Sequence, residues 1–179
     1  DMHLHMDGAR ICNAAASLGV ELRETTADVG VDVLSFGGTK NGLMGGEAVV
    51  FFRPELARHT PNIRKQQMQL ASKMRFISAQ FLALFDSDLW RHNATHANAM
   101  ARRLADAVAA VPGVDLTYPV QANAVFAALP AAAIDRLHER YHFYVWDEDA
   151  GVVRWMCSWQ TTPLDVDDFA AAVRESTAG

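Results

Sequence analysis

Two short runs hold the residue types that could do chemistry. One lysine sits among glycines and small polar residues in Ser35-Phe36-Gly37-Gly38-Thr39-Lys40-Asn41-Gly42, and upstream an aspartate sits in His5-Met6-Asp7-Gly8-Ala9-Arg10. An amine at a strand end, where glycines let a ligand approach the backbone, can form a Schiff base with an aldehyde cofactor. A carboxylate beside it can pair with a protonated pyridine nitrogen and keep the ring electron-withdrawing. Together these are the demands of pyridoxal phosphate. Read alone, each run also has a plainer meaning. The first is a tight turn with a solvated lysine, and Asp7 is a helix N-cap or turn carboxylate. Lysine is scarce, with only Lys40, Lys65 and Lys73 among 16 Lys+Arg.

The elements that must position these residues read as an α/β layer. Met2 to Met6 alternates and predicts a strand that delivers Asp7 at its C-terminal end. Arg10 to Leu18 is Ala-rich and predicts a helix stopped by Gly19. Val20 to Gly30 is a polar connection, and Val31 to Phe36 predicts a buried parallel strand. The intervening chain is long enough to return a parallel neighbour, which would bring Asp7 and Lys40 to one strand edge. Glu47 to Phe52 predicts a further strand, and Pro54 opens a short helix to His59.

The pattern then changes to long helices, Ile63 to Phe85 and Trp90 to Val111, separated by Asp86-Ser87-Asp88. Their Met, Leu and Phe stripe predicts core or subunit interface. Beyond Pro112-Gly113 the chain reads as a small α/β unit. It has a strand at Asn123–Leu129, a helix at Ala131–Arg140, and a hairpin of Phe143–Trp146 with Val152–Trp159. A last helix runs from Leu164 to Ser176, with Thr162 or Asp165 as its cap. The domains expected are therefore 1–111 and 112–179.

Composition narrows the classes. A net charge of −5 and a pI near 5.8 exclude the basic face of a nucleic-acid binder. Two cysteines, Cys12 and Cys157, are too few for a disulfide framework and suit a reduced, cytoplasmic protein. No apolar run approaches the ~18 residues of a membrane helix. The chain opens at Asp1, directly into a motif-bearing strand, as the middle of a longer protein would.

The two runs together closely resemble the low-specificity L-threonine aldolase family, within the fold-type I pyridoxal-phosphate enzymes. The resemblance continues through Leu70-Ala71-Ser72-Lys73-Met74-Arg75-Phe76 to Val153-Arg154-Trp155. It implies the C-terminal part of a fold-type I major domain followed by a small C-terminal α/β domain. It also implies retro-aldol cleavage of L-threonine or L-allo-threonine to glycine and acetaldehyde. By matching position, Lys40 would be the Schiff-base lysine and Asp7 the partner of the pyridine nitrogen. Arg10 would lie near the ring oxygen and Arg75 near the cofactor, and Arg154 would hold the substrate α-carboxylate. The family's first half is missing from this sequence. That half supplies the loop gripping the cofactor phosphate and the histidine stacked on the ring. Homo-oligomers, dimers or tetramers, are the family's habit.

Other readings stay open at this point. A related lyase eliminating at Cβ would share the aspartate and lysine. The chain could also be an inactive half that needs its N-terminal partner. A metal hydrolase is a third possibility, because His3, His5 and Asp7 alternate onto one strand face with a spacing able to hold zinc. His92 and His96, one helical turn apart, form a further metal-like pair but lack the glutamate of a zincin motif.

Overall fold

The computed structural model describes residues 2–178. Its chain divides into two compact units, Asp1–Asn93 and Ala94–Gly179. The sequence placed that boundary at 111/112. The difference arises because helix residues Ala101, Leu104, Ala105 and Val108 belong to the C-terminal core.

The first unit is built on a three-stranded sheet. Strand β1 (His5–Gly8) leads into helix α1 (Ile11–Leu18), whose C-cap Gly19 takes the left-handed φ of 71° expected of it. Two short 3₁₀ turns, Leu22–Thr25 and Ala27–Val29, lead to β2 (Val33–Gly37). After the lysine turn comes β3 (Glu47–Phe51). The spatial order is β1-β2-β3, with β1 and β2 parallel and β2 and β3 antiparallel. In the β1–β2 register Met6 pairs with Leu34, Asp7 with Ser35 and Gly8 with Phe36. Period-two alternation therefore puts Leu34 and Phe36, both buried, on one face and His5, Asp7 and Ser35 on the other.

A 3₁₀ turn at Pro54–Ala57 precedes α2 (Thr60–Gln66) and α3 (Met74–Asp86). The single helix expected from Ile63 to Phe85 is thus two. The break follows Met68, which has a left-handed φ of 55°. Residues 65–73 are exposed, so no packed face of this chain holds them helical against the cost of that turn. Helix α3 docks Phe81 and Phe85 on the buried sheet face, with the Phe36 ring 5.6 Å from Phe85 and 6.2 Å from Phe81, and Leu84 of the same helix is fully buried. The Asp86–Asp88 break is present, with Asp88 at φ 55°, and α4 (Leu89–Val108) follows.

The second unit is a four-stranded antiparallel sheet in the order β4-β5-β7-β6, formed by β4 (Asp115–Leu116), β5 (Ala124–Ala128), β6 (Tyr144–Asp147) and β7 (Val152–Met156). Helices α5 (Ala131–His138) and α6 (Pro163–Ala178) complete it. The two-residue β4 was not anticipated. Val125, Ala127, Val153 and Trp155 turn into a core with Val108, Leu137 and Val173. Helix α6 starts with a reciprocal cap in which the Asp165 amide donates to Thr162 Oγ1 at 3.2 Å and the Thr162 amide donates to Asp165 Oδ2 at 2.7 Å.

Both cysteines are free and buried, Cys12 at 2% and Cys157 at 4% exposure. Burial pushes their thiols up to about 12 and about 11. Among the described residues no helix is long and apolar enough to cross a membrane.

Two predictions follow from this packing. A Cβ at Gly37 would sit 2.5 Å from the Ala9 carbonyl oxygen and 2.8 Å from its Cα, both backbone atoms that cannot swing aside. Gly37→Ala is therefore expected to cost about 1–3 kcal/mol in urea unfolding by prising β2 from the turn after β1. At pH 8 neither thiol of the folded protein should react with a disulfide reagent such as DTNB. Full reaction at both positions is expected once denaturant is added.

Candidate active site

Parallel pairing sends the C-terminal ends of β1 and β2 out of the same sheet edge. Asp7 is the penultimate residue of β1, and Lys40 lies in a 3₁₀ turn, Thr39–Asn41, just past the end of β2. The sequence expected both to reach one strand edge, and the topology brings them there.

At Asp7 the chain turns from strand to helix. Asp7 Oδ1 accepts from the Ala9 amide at 3.0 Å, closing a short side-chain turn. The plain reading of Asp7 as a turn carboxylate is therefore correct as far as one oxygen goes. The other has no hydrogen-bond partner among the described residues. Arg10 follows at the N-cap position of α1, half-buried. His5, on the same face, shares a 2.9 Å hydrogen bond between Nε2 and Ser35 Oγ, and Ser35 is the residue paired with Asp7.

The lysine turn is held from several sides. The Thr39 amide donates to the Gly46 carbonyl at 3.1 Å, and the Gly46 amide returns a bond to Thr39 Oγ1 at 3.0 Å. Gln80 of α3 offers one carbonyl oxygen to two amides, Met44 at 2.9 Å and Gly45 at 3.3 Å. Asn41 is 3% exposed, and its Nδ2 donates to the Trp90 carbonyl at 3.0 Å. Asn93 Nδ2 donates to the Asn41 carbonyl at 2.9 Å. The residue next to Lys40 is thus locked both ways to the first turns of α4. Lys40 itself is exposed and has no hydrogen bond or ion pair among the described residues. A fixed backbone carries a free amine.

Sequence reasoning missed Asn41, Gln80 and Asn93. Asn41-Gly42 was legible as a turn, but nothing local marks Asn93 or Gln80 as its partners, because the bonds span 52 and 36 residues.

The remaining expected residues fall elsewhere. Arg75 is exposed near the start of α3, with its guanidinium carbon 4.8 Å from the Phe76 ring centre. Lys65 lies in α2, and Lys73 is the N-cap of α3. In the second unit, Arg154 sits on β7 opposite Tyr144 and Phe126, on the sheet face away from the helices.

The metal reading finds no support in the geometry. His3 Nδ1 lies 3.6 Å from Asp32, and His5 is bonded to Ser35. Among the described residues no group of three His, Cys, Asp or Glu side chains is arranged to hold a metal ion. His96 Nε2 is bonded to the Thr161 carbonyl at 2.7 Å, and His92 is exposed.

The low specificity L-threonine aldolase of Pseudomonas aeruginosa is 48% identical over 174 residues, which is 97% of this chain and 50% of that protein. The enzyme of the same name from a Pseudomonas sp. is 45% identical over the same span, again 50% of its length. The chain thus spans about half the length of the curated relatives it matches. Among solved structures, the threonine aldolase of Leishmania major superposes with a TM-score of 0.85 at 26% identity, covering 97% of this chain and 52% of that one. The α/β architecture is accordingly that of the fold-type I enzymes, as the resemblance implied. Residues 1–131, which include the runs around Asp7 and Lys40, match the family model described as β-eliminating lyase, and the chain belongs to that family.

Proposed function

We propose that this chain is the lysine-bearing C-terminal half of a pyridoxal-phosphate-dependent aldolase that cleaves L-threonine and L-allo-threonine to glycine and acetaldehyde. The observation that carries the reading is the parallel β1–β2 register, with Asp7 at one strand end and Lys40 in the turn after the other. The donor set fits the cofactor. Among the described residues it offers a carboxylate with one oxygen and a primary amine that make no hydrogen bond, at a backbone where side chains at Gly37 and Gly38 would collide with their neighbours.

Each residue has a role in this reading. Lys40 Nζ would hold the cofactor covalently, and Asp7 would accept a charge-assisted bond from the pyridine nitrogen and stabilise its positive charge. Arg10 would lie near the ring oxygen, and Arg75 would add positive charge near the cofactor. Arg154 binds the substrate α-carboxylate with its planar fork. When bound, the cofactor supplies an electron-withdrawing ring that takes up the electrons left as Cα–Cβ parts. The phosphate grip and ring-stacking group come from the N-terminal half of the same enzyme. The complete protein works in the cytoplasm as a homodimer or homotetramer.

A lyase that eliminates at Cβ is the second reading, favoured by the description of the matched family. The 48% identity to an L-threonine aldolase weighs towards aldol cleavage. Product analysis separates them. The complete enzyme should release acetaldehyde and glycine from L-threonine, and a keto acid with ammonia would establish the eliminating lyase instead.

Borohydride reduction with pyridoxal phosphate, followed by peptide mapping, should give one adduct, on Lys40. Lys40→Ala should abolish it, and an adduct surviving that substitution would overturn the assignment. Arg154→Ala should raise KM for threonine about 10–100-fold, as expected for losing hydrogen bonds to a charged group, with cofactor attachment intact. Loss of cofactor instead would remove Arg154 from its substrate role.

A further inference from the structure

Arg154 carries its charge in an unusual setting. It is only half-buried, yet its Nε is fully buried and has no hydrogen-bond partner. Among the described residues the guanidinium makes no hydrogen bond or ion pair at all. Aromatic rings surround it instead. Its central carbon lies 4.9 Å from the Trp146 ring centre and 5.6 Å from that of Tyr144.

The backbone builds this arrangement. Tyr144 stands directly across from Arg154 in the β6–β7 ladder. The register then shifts between Val145 and Asp147, so that Trp146 is the extra residue of a bulge. Bulges re-aim a side chain, and this one carries the indole that meets the guanidinium. Trp146 is buttressed in turn by the edge of Phe126 at 5.3 Å, and Phe126 by Tyr118 at 5.4 Å. Trp146 and Tyr144 are nonetheless 54% and 62% exposed, so burying apolar area does not explain them.

We propose that Trp146 and Tyr144 are positioning residues that hold the Arg154 guanidinium by its faces and present its terminal nitrogens to an incoming carboxylate. Ring faces attract the cation without occupying its in-plane N–H donors. An acidic side chain in their place would hold Arg154 as firmly but would neutralise it and compete with the substrate. The rings therefore orient the fork and leave its charge and donors free. This inference rests on the reading of Arg154 as the carboxylate-binding residue.

The test uses the complete cofactor-loaded enzyme and two readouts, the KM–kcat split for L-threonine and the inhibition constant of propionate, a carboxylate without the reacting groups. Trp146→Ala should raise both KM and the inhibition constant about tenfold while kcat stays within about threefold, the size expected of one cation–π contact. Trp146→Phe, which keeps a ring, should recover most of the loss, and Tyr144→Phe should behave as the unaltered enzyme. Tyr144→Ala serves if Trp146→Ala does not fold. An unchanged KM and inhibition constant in the alanine variant overturns the clamp, as does a fall in kcat alone or a phenylalanine variant as weak as alanine. Arg154→Ala run alongside separates the two levels. If it leaves KM unchanged, the reading of Arg154 fails. If it raises KM while Trp146→Ala does not, only the clamp fails.

Discussion

Where β2 leaves the sheet, Gly37 runs so close to the backbone of Ala9 that no Cβ fits between them. That contact fixes the end of one parallel strand against the turn that follows the other. Parallel strands carry their C-terminal ends to the same edge, and the turns that leave that edge are free to diverge. One continues through Asp7 into α1 and the other through Gly38 into the lysine turn. The placement of Asp7 and Lys40 at one sheet edge is thus a consequence of strand direction, with Gly37 fixing how closely the two turns approach. An antiparallel pair would have carried the two residues to opposite edges of the sheet.

The lysine turn shows how stiffness and freedom are divided within a few residues. Its backbone is bound by Thr39 and Gly46, by Gln80, and by the exchange between Asn41 and α4. A buried amide costs free energy unless it is hydrogen-bonded; Asn41 Nδ2 donates to the Trp90 carbonyl and the Asn41 main-chain carbonyl accepts from Asn93 Nδ2, so this exchange favours one geometry for the turn. Lys40 receives none of those bonds. In the proposed role, where Lys40 would form and release a covalent link, a fixed origin and a mobile tip would help, because the backbone entropy is already spent when the ligand arrives.

What the sequence made legible follows from the range of the interactions. Helix α1 with its Gly19 cap, the β6–β7 hairpin and the cap of α6 rest on contacts close in sequence, and each was readable; strand β2 pairs with distant residues of β1 and β3 but was legible from its own apolar run. Asp7 and Lys40 were readable because glycine punctuation marks the turns that carry them. Helix α3 was read with α2 as one, because Met68 and Leu70 keep a helical period while their stretch has nothing to pack on. Asn93 and Gln80 gave no signal, since an amide on a helix looks the same whether it faces water or a turn many residues away. The bulge at Trp146 was equally silent, because Tyr144 and Trp146 alternate as any strand pair would.

The second sheet repeats the division in another form. Its helix-facing side is an ordinary core of Val125, Ala127, Val153 and Trp155. Its other side keeps Tyr144 and Trp146 exposed beside a guanidinium whose Nε has lost water and gained no acceptor. An unmatched buried donor costs about 1–3 kcal/mol, a large share of what holds a small unit together. A leucine at position 154 would avoid that cost, and a glutamate opposite would repay it. The chain has neither, but Thr117 Oγ1 and Trp155 Nε1 are buried without a hydrogen-bond partner too, so what sets Arg154 apart is its charge and the exposed rings of Trp146 and Tyr144 beside it. On the proposed reading Arg154 and Lys40 would both meet a ligand, and among the described residues neither side chain makes a hydrogen bond or ion pair that the ligand would have to displace.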